Sequence, residues 1–245
     1  MASRNLPFAK KPGMINSIMI EKNTPEFDKY ADKYEFNLNE SIPLALSEDN
    51  YFSKYKVDYV KRRLGKDIPD KILDFGCGIG LSLSILNSQF QKSDIWGYDL
   101  SKKSLDIAKN RVENITLTND CESLPDNSFD MIFIANVFHH IPVNERGKAL
   151  LLCKKLLSSR GKIFLFEHNP LNPLTRMIFE RCPYDKGASM LLKREILHLA
   201  GKSGLSTVRS DYTLFLPKQF SFLRVLESKL GWLPLGAQYC VEMSK

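Results

Sequence analysis

A chain of 245 residues that is 43% hydrophobic and 26% charged has the composition of one globular domain with a sizeable core, which excludes long disordered or collagen-like tracts. No run approaches the roughly 18 to 20 uninterrupted apolar residues of a membrane-spanning helix. The apolar stretch Met14 to Ile20 is broken by Asn16 and Ser17 with no cleavage pattern behind it, so a cytoplasmic protein is expected.

The formal net charge of +7 is uneven: from residue 176 onward there are 11 basic and 6 acidic side chains. Such an excess reads either as solvated surface or as a basic wall around an anionic substrate. Cys77, Cys121, Cys153, Cys182 and Cys240 stand singly, without C-x-x-C spacing or a neighbouring histidine pair, which points to neither a zinc site nor a disulfide framework.

Phe27, Tyr30, Ala31 and Tyr34 fall at helical spacing behind Thr24 as N-cap and Pro25 at the first helical position, predicting an amphipathic helix. A second helix places Phe52, Tyr55, Tyr59 and Val60 on one face and ends near Gly65. After Pro69 the rhythm becomes short apolar runs alternating with helical stretches, the signature of βαβ units. Strands are expected over Lys71 to Phe75, Asp94 to Tyr98, Ile115 to Thr118, Met131 to Ala135 and Lys162 to Glu167. Helices are expected over Leu81 to Phe90, Lys102 to Arg111 and Asn144 to Leu157.

The run Met131-Ile132-Phe133-Ile134-Ala135 is continuously apolar, as in a strand covered on both faces. Further on come an irregular segment around Pro170 and Pro173, a helix from Leu191 to Lys202, a strand from Leu205 to Phe215, an insertion at 217–236 and a last strand from Gln238 to Met243. The expected architecture is α/β, a doubly wound, mostly parallel seven-stranded sheet with N-terminal helices. Residues 1–66 form a helical cap and 67–245 the main domain, together one unit.

Ile72-Leu73-Asp74-Phe75-Gly76-Cys77-Gly78-Ile79-Gly80 sets three glycines between a strand and a helix, where the chain must turn sharply and a ligand can approach the backbone. A dinucleotide fingerprint would need its third glycine at position 81, which is Leu81. Asp99 ends the second strand, where a carboxylate can accept from both hydroxyls of a ribose, and Asp120 follows the third, where it can accept from an exocyclic amine. Asp74 would repel a diphosphate but suits a ligand bearing an ammonium and a sulfonium. The cofactor expected from these residues is adenosine-containing and cationic.

Through Phe27-Asp28-Lys29-Tyr30-Ala31-Asp32-Lys33-Tyr34, Leu73 to Gly80, Asp99-Leu100-Ser101, Asp120 to Pro125 and Ser128-Phe129-Asp130, the chain from Phe27 to about Leu205 resembles the class I methyltransferases of the ubiquinone and menaquinone biosynthesis type. The resemblance implies S-adenosylmethionine as cofactor and S-adenosylhomocysteine as product. It implies Gly76, Cys77 and Gly78 at the methionine moiety, Asp99 and Leu100 at the ribose and adenine, and Asp120 and Cys121 at the adenine edge. It also sets Tyr30 or Tyr34 over the cofactor and Asn136 beside its amine.

Methyl transfer needs proximity, orientation and, for an O, N or acidic C acceptor, a base near neutral pH. His139 and His140 follow the fourth strand and His168 the fifth, at the carboxyl ends where ligands bind in such sheets; His139 and His168 are the candidate bases. The segments Glu167 to Thr175 and Arg181 to Asp185 are similar to a subgroup of bacterial methyltransferases, some of which are associated with surface polysaccharide synthesis. That resemblance implies a small, glycan-precursor or lipid-precursor acceptor, phosphate-bearing if Arg176, Arg181, Lys186, Lys193 and Arg194 form its rim.

The insertion carries Phe222, Leu223, Leu226 and Leu230 at helical spacing with basic residues interleaved, fitting core packing, a lid, or contact with an anionic membrane surface. Asn136-Val137-Phe138-His139 is not an N-P-P-Y-like tetrapeptide and no RNA-binding module is appended, which speaks against RNA methylation without removing it. A binding protein that keeps the fold without the chemistry is the remaining alternative.

Overall fold

The computed structural model describes residues 51–216, 227 and 229–245. The helix expected around Phe27 to Tyr34, with Tyr30 and Tyr34, lies outside the described residues, as do Phe222, Leu223 and Leu226 of the insertion.

The continuous apolar strands are covered on both faces. The described elements run α1 (Tyr51–Leu64), β1 (Lys71–Phe75), α2 (Leu81–Gln89), β2 (Asp94–Tyr98), α3 (Lys102–Arg111), β3 (Thr116–Thr118), β4 (Phe129–Ala135), α4 (Arg146–Leu156), β5 (Leu157–His168), α5 (Pro173–Arg181), α6 (Lys193–Lys202), β6 (Ser206–Thr213) and β7 (Gln238–Ser244). The seven strands form one sheet in the order β3-β2-β1-β4-β5-β7-β6. The β1–β2, β2–β3, β1–β4 and β4–β5 pairs are parallel, whereas β7 is antiparallel to both β5 and β6.

Side-chain alternation feeds two cores. Met131, Phe133, Phe164 and Phe166 pack with α1 and α2 on one face, through Val57, Val60, Leu83 and Leu86. Ile132, Ile134, Ile163 and Leu165 pack with α4 and α6 on the other, through Leu150, Cys153, Ile196 and Ala200. The chain winds outward from β1 to β3 and then returns to β4. The strand order therefore reverses between β1 and β4, and their carboxyl ends open a crevice there.

Two expectations change. The Pro170 and Pro173 segment is not irregular throughout: Asn172 caps α5, its side chain accepting from Thr175 N at 3.0 Å, and Pro173 holds the first turn. The signals were present, since an Asx cap followed by proline at N1 is a helix start. β5 begins at Leu157, earlier than Lys162, because it follows α4 directly.

α1 is tied across the sheet to its antiparallel edge. Tyr59 Oη donates to Asp211 Oδ2 at 2.7 Å and Arg63 Nε donates to Glu242 Oε2 at 2.8 Å. Glu242 is fully buried, with Lys162 Nζ at 3.4 Å as its other ion-pair partner. Taking Arg63 away leaves a buried carboxylate short of one cation. Arg63→Ala is expected to lower unfolding free energy by about 3 kcal/mol in denaturant titrations, and Arg63→Met with Glu242→Met to recover much of that loss.

Candidate active site

At the end of β1 the backbone turns through Gly76 and Gly78, with φ of +78° and +51°, a region that side chains with a Cβ rarely occupy. Gly76 is also pressed against β4's continuation, where an added Cβ would lie 2.5 Å from Val137 Cγ2. At Gly78 an added Cβ would meet nothing within 4 Å, because this residue faces a cavity. The amide of Gly78 donates to Asp99 Oδ2 at 2.8 Å and that of Ser101 to Asp99 Oδ1 at 2.9 Å, so one carboxylate joins the glycine turn to the end of β2.

The cavity, about 330 Å³, opens at the carboxyl ends of β1, β2, β4 and β5. Asp74, Gly76, Cys77, Gly78, Asp99 and Leu100 line one part of it. Asp74 is 1% exposed, and its Oδ2 has no hydrogen-bond partner among the described residues. Burial pushes its carboxyl up to about 8, with Asp99 adding to the rise and Lys56 opposing it. Lys56 reaches in from α1, almost fully buried, its ammonium pulled down to about 8 by burial against the attraction of Glu167 and Asp74.

Another part of the cavity is built on β4 and β5. Asn136 leaves β4 with φ of +59°, and the turn Phe138–His140 follows. Glu167, 1% exposed, accepts from Phe138 N at 2.6 Å, while its second oxygen lies 2.7 Å from His139 Nδ1. Arg146 closes the turn from below, donating from Nε to Phe138 O at 3.1 Å and Ile141 O at 3.0 Å. His139 Nε2 lies 3.3 Å from Asp185 Oδ1, and His140 Nε2 lies 3.5 Å from the same oxygen. The His168 ring stands 5.3 Å from the His139 ring and edge-on to Phe179.

Burial is the largest influence on each of these groups, and their neighbours decide which way it resolves. It works against a charge on His139, but Glu167 and Asp185 together outweigh it and hold the imidazole up at about 9. Glu167 is the mirror image: burial would raise it, and His139 and the Phe138 amide bring it down to about 2. His168 and His140 are pushed down to about 4 and about 3 by burial and by the charge on His139. His139 therefore keeps its proton near neutrality, unlike a free base, while His168 presents an unprotonated ring.

Of the residues singled out in the sequence, Asp74, Gly76, Cys77, Gly78, Asp99, Leu100, Asn136, His139 and His168 all line the one cavity. Asp120 and Cys121 do not. Asp120 is exposed and its carboxylate caps the following turn, accepting from Glu122 N at 2.9 Å, and Cys121 is packed in the core with Tyr98. The sequence reading gave no role to Lys56, Glu167, Asp185 or Gln238. Lys56 had a signal: it lies four residues after Phe52 and four before Val60, a charge set in an apolar helical stripe.

Residues 73–165 match a family profile described as a methyltransferase domain. The chain is 30% identical over 149 residues to the demethylmenaquinone methyltransferase of Thermotoga maritima, covering 60% of this chain and 61% of that protein. It is 31% identical over 189 residues to an uncharacterised protein of Rickettsia prowazekii, covering 69% and 76%. A solved SAM-dependent methyltransferase from Archaeoglobus fulgidus superposes with a TM-score of 0.58 at 18% identity, covering 77% of this chain and 94% of that one. Phosphoethanolamine N-methyltransferase 2 of Haemonchus contortus, in complex with S-adenosyl-L-methionine, superposes with a TM-score of 0.60 at 17% identity, covering 91% and 61%.

The two glycines separate fold from ligand space. Gly76→Ala is expected to destabilise the protein in thermal unfolding, since strain and a clash coincide. Gly78→Ala is expected to cost about 1 to 2 kcal/mol of backbone strain while abolishing cofactor binding measured by calorimetry.

Proposed function

We propose that this chain, which belongs to the class I S-adenosylmethionine-dependent methyltransferases, methylates a small acceptor with an apolar body, such as a lipid precursor, bound beside the imidazole cluster. The observation that carries this reading is that cofactor-type acids and glycines and the acceptor-type histidines line a single cavity.

The cofactor, when bound, supplies a methyl group made electrophilic by a sulfonium. The residues present fit it. The buried, unpartnered Oδ2 of Asp74 calls for a cationic group, and the open cradle at Gly78 leaves room for a ligand against the backbone. In this reading Asp74 and Asn136 hold the amine, Gly76, Cys77 and Gly78 face the methionine part, and Asp99 receives the ribose hydroxyls with Leu100 beside the adenine. Tyr30 and Tyr34 keep their proposed place over the cofactor, and Asp120 and Cys121 theirs at the adenine edge, although neither of the latter lines the cavity.

On the acceptor side, His139 and His168 are the proposed catalytic residues. His168 brings a lone pair to the cavity and takes part in removing the acceptor's proton, while His139 is held in place by Glu167. Leu174, Ile178 and Phe179 of α5 provide an apolar wall, and Leu174 is also 48% exposed, with Leu171 and Leu235 exposed as well. That wall favours a lipid precursor over a phosphorylated sugar. None of Arg176, Arg181, Lys186, Lys193 and Arg194 lines the cavity, and Lys193 lies 3.8 Å over the Tyr212 ring. Among the described lining residues, Lys56 is the only lysine or arginine. No helix of the described residues is long and apolar enough to cross a membrane.

Calorimetric titration tests the cofactor half: S-adenosylmethionine and S-adenosylhomocysteine are expected to saturate the protein, NAD to show no heat, and Asp99→Ala to lose the first two. Silence from wild-type protein with both cofactors would overturn the reading. A panel of lipid precursors, phosphorylated sugars and phosphoethanolamine then reads the acceptor; turnover confined to the sugars would remove the lipid-precursor assignment.

Asp74 predicts a pH dependence. An ammonium beside it favours the carboxylate, so binding near pH 7 should release protons to buffer and affinity should climb from about pH 6.5 to 8.5, as the raised carboxyl ionises. Asp99 and Lys56 face the same carboxyl, and loss of the Lys56 charge in that window acts in the same direction. Asp74→Asn is expected to reduce the proton release to the share that Lys56 contributes and to weaken binding by more than tenfold. His168→Ala is expected to lower kcat by about 10² to 10⁴ with cofactor affinity within twofold of wild type; unchanged turnover would remove His168 from the chemistry.

A further inference from the structure

The histidine side of the cavity brings three metal-ligating side chains together. His139, His168 and Asp185 each offer a donor atom, and all three atoms lie within 4.8 Å of one another. They come from three separate places, the turn after β4, the end of β5 and the Pro183–Asp185 turn after α5. His139 Nδ1 is committed to Glu167 at 2.7 Å, so Nε2, which faces Asp185, is the nitrogen that can turn to an ion once the proton it carries there has left. Nε2 stands 3.3 Å from Asp185 Oδ1. A charge-assisted N–H···O bond runs to about 2.7 to 2.9 Å, whereas two donors on one tetrahedral ion, each about 2.0 to 2.1 Å from it, sit about 3.4 Å apart. His168 makes ring contacts with His139 and Phe179, and no hydrogen bond of its ring is seen among the described residues.

The geometry points to a binding site for a divalent transition-metal ion formed by His139 Nε2, His168 and Asp185, with Glu167 behind His139 as the carboxylate that orients it. Two imidazoles and one carboxylate suit zinc, manganese or cobalt rather than magnesium, which prefers oxygen ligands. Three protein ligands leave a coordination position open, and all three residues line the cavity, so that position faces the acceptor. An acceptor hydroxyl held there would be acidified by the ion and lose its proton to solvent water, which would replace the direct proton removal assigned above to His168. That use in catalysis rests on the proposed methyl transfer; occupancy of the site does not.

Binding is measured without turnover on tag-free full-length protein stripped with a chelator. Zinc, manganese and cobalt chlorides are titrated by calorimetry, and the visible spectrum of the cobalt form is recorded. One equivalent is expected to bind, with His168→Ala and Asp185→Asn each weakening it at least 100-fold and Glu167→Gln weakening it about 10- to 100-fold. His198→Ala is expected to change nothing. S-adenosylmethionine binding by each variant reports that it is folded, and if one variant fails to fold the other decides. The site is overturned if none of the three ions saturates wild-type protein, if binding survives both ligand substitutions, or if the cobalt spectrum carries a thiolate charge-transfer band. Methyl transfer that persists in metal-free protein with His168→Ala inactive would make His168 the direct proton acceptor instead.

Discussion

A single buried carboxylate, Glu167, organises the histidine side of the cavity. It leaves the sheet at the end of β5, 1% exposed, and a charge so placed must be compensated within a few ångströms. The Phe138 amide and the His139 ring provide that compensation. In doing so they pin the turn after β4, which carries His139 and His140 into the cavity, and Arg146 braces the same turn from the other side. The orientation of the histidines is thus a consequence of satisfying one carboxylate. Asp185 then becomes the second pole of the cluster, reached from a different turn.

The cofactor half follows a related rule with the opposite outcome. Asp74 is buried as deeply as Glu167 but lacks a partner for one oxygen among the described residues, and its proton affinity rises accordingly. Lys56 feels both carboxylates and partly offsets each, so the two halves of the cavity are electrostatically joined by a side chain from α1. A site with a charge deficit at one end and a satisfied cluster at the other is suited to a cationic cofactor beside a less charged acceptor. The family profile ends at residue 165, two residues before Glu167, so His168 and Asp185 lie beyond it. The chain spans 61% of the length of the Thermotoga relative, so that protein's substrate is no guide by itself to the acceptor here.

Much of the scaffold was written locally. Strand runs such as Lys71 to Phe75 and Asp94 to Tyr98, the helix Lys102 to Arg111 and the glycine turn all stand where apolar period and turn chemistry set them, because each depends on neighbours in the chain. Asp74, Asp99 and the glycines stood out for the same reason, a strand end having its turn and its polar groups close by in the chain, and all of Asp74, Gly76, Gly78 and Asp99 line the cavity. α5 forms where an irregular segment was expected, although Asn172 as cap and Pro173 in the first turn are local helix-start signals.

The sequence by itself thus determined the α/β order, the acids at the strand ends beside the glycine turn and the presence of histidines at the carboxyl edge of the sheet. Tertiary structure alone decided which of those groups share a cavity, that Asp120 caps its own turn outside the cavity lining, and that Lys56, Glu167 and Asp185 belong with the histidines. Glu167 adjoins His168, but Lys56, His139 and Asp185 come from distant parts of the chain, and the proton affinities of the group arise from burial and from charges a few ångströms away. Neither quantity has a counterpart in local sequence pattern, because both are set by how the sheet brings distant segments to one edge.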